Sequence, residues 1–226
     1  MTLIDIMKNR ETTFTWSNQE VDKQEVIKII KQVVENAPSK QNRRVVRVDI
    51  FDWSNKQLRE ELFAWTHRDD ELTIEEDQGN PQMLAPIVLV FSPRDVIGEK
   101  FGFEDNGFAD NNDGFKKNTH LEAGILSASV VYALESAGYN TGYCKCWPGG
   151  GIHVEGLDLL EGERTAIEHI KNLLDLPFEP ILFMGVGHKS DSKEYFDPRV
   201  NRNRPIPTHG VKPTPPRTEK VVIVRD

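Results

Sequence analysis

Little in this sequence can form cross-links, bind a metal or span a membrane. Only two cysteines occur among the 226 residues, Cys144 and Cys146. Neighbours at that spacing point to opposite faces of a strand, so they cannot readily bridge each other. They read as small apolar side chains of a buried strand in a reducing compartment, and a cytoplasmic location is expected. His67, His120, His153, His169, His188 and His209 show no HExxH or other ligand spacing, so no metal site is expected. No run reaches the ~18 uninterrupted apolar residues of a membrane helix. Charges at Asp5, Lys8 and Arg10 interrupt the N-terminal apolar pattern, unlike a signal peptide. Gly149-Gly-Gly151 lacks the GxGxxG spacing and no Walker motif is present, which excludes the common nucleotide-binding loops. Basic residues number 28 against 36 acidic ones, a net charge of −8. That balance argues against a nucleic-acid partner, whose backbone is gripped by clustered Lys and Arg.

What is present has the pattern of one layered domain, long enough to bury a core without disulfide or metal. Leu3 to Asn9 reads as a short helix with Leu3, Ile6 and Met7 on one face. Ser17 and Glu20 have the spacing of a capping box for the next helix. That helix carries Val26, Ile29, Ile30, Val33 and Val34 as a single stripe and ends before Pro38. Val45 to Phe51 predicts a strand and Gln57 to Trp65 a helix. The continuous apolar run Pro86 to Phe91 predicts a strand covered on both faces. A loop follows from Gly98 to Asp113, either a lid or a surface excursion. His120 to Ala137 is apolar nearly all round and rich in small residues, as suits either a core helix or a subunit interface. Tyr139 to Trp147 predicts a strand, Glu163 to Leu174 a helix, and Pro180 to Gly187 another buried strand. Five prolines lie between Pro205 and Pro216, and Lys220 to Arg225 reads as a last strand. Helices alternating with strands around one sheet indicate an α+β or α/β domain.

Six segments, in order, resemble the FMN-dependent nitroreductase family. They are Arg10-Glu-Thr-Thr after the first helix, Ala37-Pro-Ser-Lys-Gln-Asn42 after the second, and Asn80-Pro-Gln-Met-Leu-Ala-Pro86 before a strand. Glu122-Ala-Gly124 through Ala137-Gly-Tyr-Asn-Thr-Gly142 is similar to the family's central helix and the glycine turn after it. Met184-Gly-Val-Gly-His188 resembles its late strand and glycine turn, and Asn201-Arg-Asn-Arg-Pro205 its basic C-terminal clamp. The resemblance implies an α+β nitroreductase-like fold, a mixed sheet flanked by helices. It further implies a domain over residues 1–204 and a proline-rich arm with a C-terminal strand, 205–226, packed on the partner of a homodimer.

The resemblance also implies a cofactor, FMN, with NADH or NADPH as donor and a nitroaromatic, quinone or similar conjugated small molecule as acceptor. Arginine forks match phosphate oxygens, so Arg10, Arg202 and Arg204 are candidates for the phosphate. Glu11, Thr12, Asn80 and Gln82 would line the flavin, and Pro38, Ser39 and Asn42 would reach the flavin held mainly by the other subunit. Pro148, Gly149 and Gly150 match the place where backbone approaches the ring, which glycine permits because it has no Cβ. No side chain is assigned as a catalytic acid or base, because the flavin carries the chemistry. Phe14 stands where the family often has Lys or Arg, and a basic residue is also common near Gln82. Loss of positive charge there disfavours the negative charge the flavin gains on reduction, which Arg43 or Arg44 would have to offset. The alternatives are another flavin reaction on the same fold, such as dehalogenation or flavin fragmentation, and a non-enzymatic flavin-binding or FMN-free relative.

Overall fold

The computed structural model describes residues 2–39, 42–52, 56–65, 75–76, 79–94, 112–144 and 168–206. Helix α1, Leu3–Asn9, starts at Thr2, whose side chain and that of Asp5 form a reciprocal capping box. Helix α2, Lys23–Asn36, is capped by Asp22, whose carboxylate accepts from the N–H groups of Gln24 and Glu25. The box expected at Ser17 is therefore absent. Ser17 Oγ accepts instead from Gln19 N, and its own N–H donates to His188 O at 2.8 Å. This part of the chain is committed to the sheet before the helix begins.

Four strands form one sheet in the order β1-β2-β4-β3: β1 Val46–Asp52, β2 Ile87–Pro93, β3 Asn140–Cys144 and β4 Leu182–Gly187. All ladders among the described residues are antiparallel, so only an antiparallel portion of the expected mixed sheet is seen. Alternation along β2 sorts the core into two parts. Ile87, Leu89 and Phe91 face one cluster with Val26 and Ile30 of α2 and Leu126, Val130 and Leu134 of helix α4, Asn112–Ser136. Val88 and Val90 face the other, with Leu62 and Phe63 of helix α3, Lys56–Trp65, and with Ile170 and Tyr195. Each fully buried Leu, Val or Phe contributes about 1.5–3 kcal/mol, which explains why β2 reads as an unbroken apolar run.

Helix α4 begins earlier than its apolar pattern suggested, at Asn112. It is not buried all round. Ala123, Leu126, Val130 and Leu134 form one buried stripe, while Leu121, Gly124, Ile125 and Ala128 are exposed. Residues 168–173 are helical, within the helix expected there. A second sheet was not anticipated: β5, Glu194–Asp197, and β6, Arg202–Pro205, form an antiparallel hairpin on the α3 side. The Gly98 loop, Cys146, the Pro148–Gly150 segment and the final strand at 220–225 lie outside the described residues, apart from the loop's last two positions, which open α4.

Candidate functional site

After α1 the chain runs extended and docks on the sheet. Thr13 N donates to Thr141 O (3.0 Å), Trp16 bridges Lys189, and Ser190 N donates to Thr15 O (2.9 Å). The Thr15 hydroxyl donates to Ser190 O and Ser192 O. Thr13 and Thr15 are buried, while Arg10, Thr12 and Phe14 are more open. Residues two apart in an extended chain share a side, so the last three form one row. Glu11 is exposed and pairs with Lys189.

Two glycines make room for this docking. Gly142 and Gly185 face each other across β3 and β4. A Cβ on Gly142 would lie 2.1 Å from Thr13 O, and one on Gly185 would lie 2.2 Å from Gln82 O. Both lie in strands that the sequence led one to expect, within Tyr139–Trp147 and Pro180–Gly187. The turn after α4 falls on Gly138, whose φ is +91°. Gln82 belongs to a short 3-10 turn, Pro81–Leu84, that is held by a hydrogen bond from Trp16 Nε1 to Pro81 O (3.1 Å). Its side chain also reaches the Gly142 position, where it meets Thr13. The Gln82 amide oxygen and the Thr13 hydroxyl are both buried without a hydrogen-bond partner among the described residues. Asn80 is buried at the head of the turn and accepts from Cys144 Sγ (3.3 Å). Phe14 lines a cavity of about 450 Å³ together with Trp16, Arg59, Leu84, Glu194 and Phe196.

Arg202 and Arg204, expected to clamp a phosphate, have different surroundings. Arg204 is buried and its Nε lies 3.0 Å from Asp197 Oδ2; Arg199 reaches the same oxygen at 2.9 Å. The Asp197 side chain is 0% exposed. Arg199 also stacks over the Phe63 ring at 4.7 Å, tying the hairpin to α3. Arg202 is exposed and pairs with Glu75 at 2.9 Å. Asp197 and Arg199 were missed in the sequence, where an Asp-Pro-Arg in a polar run reads as a turn.

Pro38, Ser39 and Asn42 sit on the opposite face of the sheet. Pro38 is exposed, and Ser39 Oγ donates to Glu122 Oε2 on α4 (2.6 Å). Arg44, one of the two arginines expected to offset charge, is engaged with the end of α2. Its guanidinium donates to the last carbonyls of α2, Val34 O (2.8 Å) and Glu35 O (2.5 Å), and to Asn42 Oδ1 (3.1 Å). Thus the N-terminal segment, through Thr13 and Trp16, comes together with Gln82 and the turn headed by Asn80 on one face, with the arginine hairpin on that side, whereas the Ser39 loop lies across the sheet. Among the described residues no group of His, Cys, Asp and Glu could hold a metal, and no helix is long and apolar enough to cross a membrane.

No family model matches the sequence, and no curated protein matches it. Solved structures do. A nitroreductase family protein from Streptococcus pneumoniae is 15% identical, with a TM-score of 0.62 over 99% of this chain and 100% of its own. The hypothetical oxidoreductase YcnD from Bacillus subtilis is 20% identical, with a TM-score of 0.61 over 87% of this chain and 71% of that one. The NADPH:FMN oxidoreductase from Vibrio harveyi, complexed with NAD+, is 18% identical, with a TM-score of 0.57 over 85% and 71%. At such identities the likeness speaks to architecture, and the architecture agrees with the order of the six motifs: this chain has the nitroreductase fold.

Proposed function

We propose that the chain is an FMN-dependent oxidoreductase that takes a hydride from NADH or NADPH and passes it to a nitroaromatic, quinone or similar conjugated acceptor. The observation that carries this reading is the docking of the extended segment that bears Arg10, Thr12 and Phe14, whose Thr13 backbone meets Gln82 over the paired glycines. The donor set fits FMN. Arg10 supplies a fork for phosphate, Thr12 a hydroxyl for the ribityl chain, and the unpartnered Gln82 oxygen an acceptor for a ring N–H. When bound, FMN supplies the hydride-accepting ring. The chain's residues bind it, orient it and exclude water. Arg202, whose surface pair with Glu75 is weak, would supply a second fork for the phosphate, and Arg204, held by Asp197, would add positive charge to the site. Pro148, Gly149 and Gly150 belong to this proposal as backbone beside the ring. The Vibrio harveyi neighbour, an NADPH:FMN oxidoreductase by name, supports the choice of cofactor and donor.

A homodimer is part of the reading. Leu121 (64%) and Ile125 are exposed on α4, and Leu3, Ile4 and Met7 on α1, which contacts it. Exposed apolar residues on two adjoining helices suit a contact surface, and a second copy would bring the Ser39 loop to the first copy's flavin. A second reading, another flavin reaction or flavin binding without turnover, is favoured by Phe14 and by the engagement of Arg44 with α2. An absorbance scan followed by anaerobic NADH and NADPH titration decides between them. A yellow protein bleached by one nicotinamide and reoxidised by a quinone supports the first reading. Bleaching without quinone or nitro turnover supports the second, and a colourless protein that refuses FMN refutes both.

A further inference from the structure

Glu122, on the buried stripe of α4, is the anchor of the Ser39 loop. Its Oε2 accepts from the Ser39 hydroxyl at 2.6 Å and its Oε1 from Val46 N–H at 3.3 Å. Ser39 Oγ in turn accepts from Arg44 N–H (2.8 Å), and Ser39 O accepts from Asn42 N–H (3.1 Å). Between these bonds the backbone adopts an unusual form: φ is +56° at Asn42 and +50° at Arg44. L side chains avoid that region, asparagine less than arginine. Such strain persists only where neighbours over-determine it, and it clusters at functional sites. Here the neighbours are Glu122, the Arg44 guanidinium on the end of α2, and Arg94, whose guanidinium donates to Arg43 O and Arg44 O. Asn42 is exposed, and its amide oxygen accepts from Arg44 Nε. That bond fixes which end of the amide is the oxygen, so the N–H2 end faces away from the guanidinium.

We propose that Glu122 is a positioning residue: its buried carboxylate holds Ser39 and Asn42–Arg44 in the strained form that presents the Asn42 N–H2 group to FMN bound by a second copy of the chain. This rests on the reading of the chain as an FMN-binding dimer. Glu122 touches no ligand itself and acts through the loop.

The test is a mutant cycle on the full chain. FMN dissociation constants come from fluorescence quenching, and melting temperatures from the FMN-free protein. Asn42→Ala weakens FMN binding about three- to ten-fold, the worth of one hydrogen bond. Glu122→Ala weakens it at least as much, because Ser39 and Val46 lose their acceptor. Glu122→Gln restores near-parental affinity, since its amide can accept from Val46 N–H and donate to Ser39 Oγ. The double variant binds FMN no more weakly than the worse single one, because Asn42 contributes only while Glu122 holds the loop. Should Glu122→Ala fail to fold, Ser39→Ala enters the same cycle, because it keeps the carboxylate and its bond to Val46. Multiplicative losses of FMN affinity, or parental affinity in both Glu122→Ala and Ser39→Ala, overturn the positioning role and leave FMN binding standing. Parental affinity in Asn42→Ala overturns the loop's contact with flavin, and the proposal with it. Failure of the parent to bind FMN refutes the underlying reading instead.

Discussion

Arg202 and Arg204 stand two residues apart on one short strand, yet their charges are worth different amounts to the fold. Arg204→Ala removes one of two guanidiniums from a fully buried carboxylate and is expected to cost about 1–3 kcal/mol of stability. Arg202→Ala breaks an exposed pair and is expected to cost less than about 0.5 kcal/mol. Urea unfolding of the two variants against the parent measures both; equal losses would mean that Asp197 does not need Arg204. Phe14→Lys brings positive charge to the row beside the cavity and is expected to raise the midpoint potential of bound FMN. A spectroelectrochemical titration showing no change, or a fall, would place residue 14 away from the ring edge. Arg10, Thr12 and Phe14 were legible through the family resemblance, and the extended chain sets these alternate residues on one side. Asp197, Arg199 and Glu122 were not marked as site residues, because a single acid or base gains meaning only from partners distant in sequence.

Among the elements, the contact of the N-terminal segment with the sheet depends on two hydrogen atoms in place of side chains. Gly142→Ala and Gly185→Ala each drive a methyl group into backbone oxygen, of Thr13 and Gln82 respectively. Each is expected to cost about 2 kcal/mol or more, whereas Gly124→Ala, which meets nothing within 4 Å, is expected to be neutral or stabilising. Thermal melts of the three variants check this, and an unperturbed Gly142→Ala would show that the docking can loosen freely. Tyr139 joins the start of β3 to α2. Burial, and then the hydrogen bond it donates to Glu25 (2.5 Å), pushes its hydroxyl up to about 12 from 10.0. A raised pKa favours the folded state while the unfolded tyrosine is neutral. Its contribution is therefore full below pH 10 and is lost as pH rises through 12. Tyr139→Phe should flatten the decline of stability over that interval; an unchanged slope would sink the assignment. Strands β2 and β4 were plain in the sequence because both their faces are buried. The hairpin of β5 and β6 was hidden, since strands of four residues each, Glu-Tyr-Phe-Asp and Arg-Asn-Arg-Pro, are too short and too mixed to show an apolar alternation. The expected capping box at Ser17 failed for a related reason: backbone pairing to His188 claims that stretch first.

For the whole molecule, the open question of assembly lies at an edge. Strand β1 pairs only with β2 among the described residues, and an uncovered edge invites another strand. The apolar run Lys220 to Arg225, at the end of a proline-rich arm, suits that place on a partner subunit. Truncation after Ile206 keeps β6 and the bond from Ile206 N to Lys193 O. It is expected to yield monomers by light scattering and a lower melting temperature; a stable dimer would free the tail from any bracing role. The docked N-terminal segment has one more consequence, for the newly made chain. Thr15 bonds to Ser190, 175 residues further along. At typical synthesis rates of about 5–20 residues per second, Arg10 leaves the ribosome roughly 10–35 s before its segment has a sheet to rest on. Contacts so distant close late. Ligand affinity should therefore appear as one of the last events of refolding, after the helices have formed, and the unpaired N-terminal segment is the part most in need of a chaperone meanwhile.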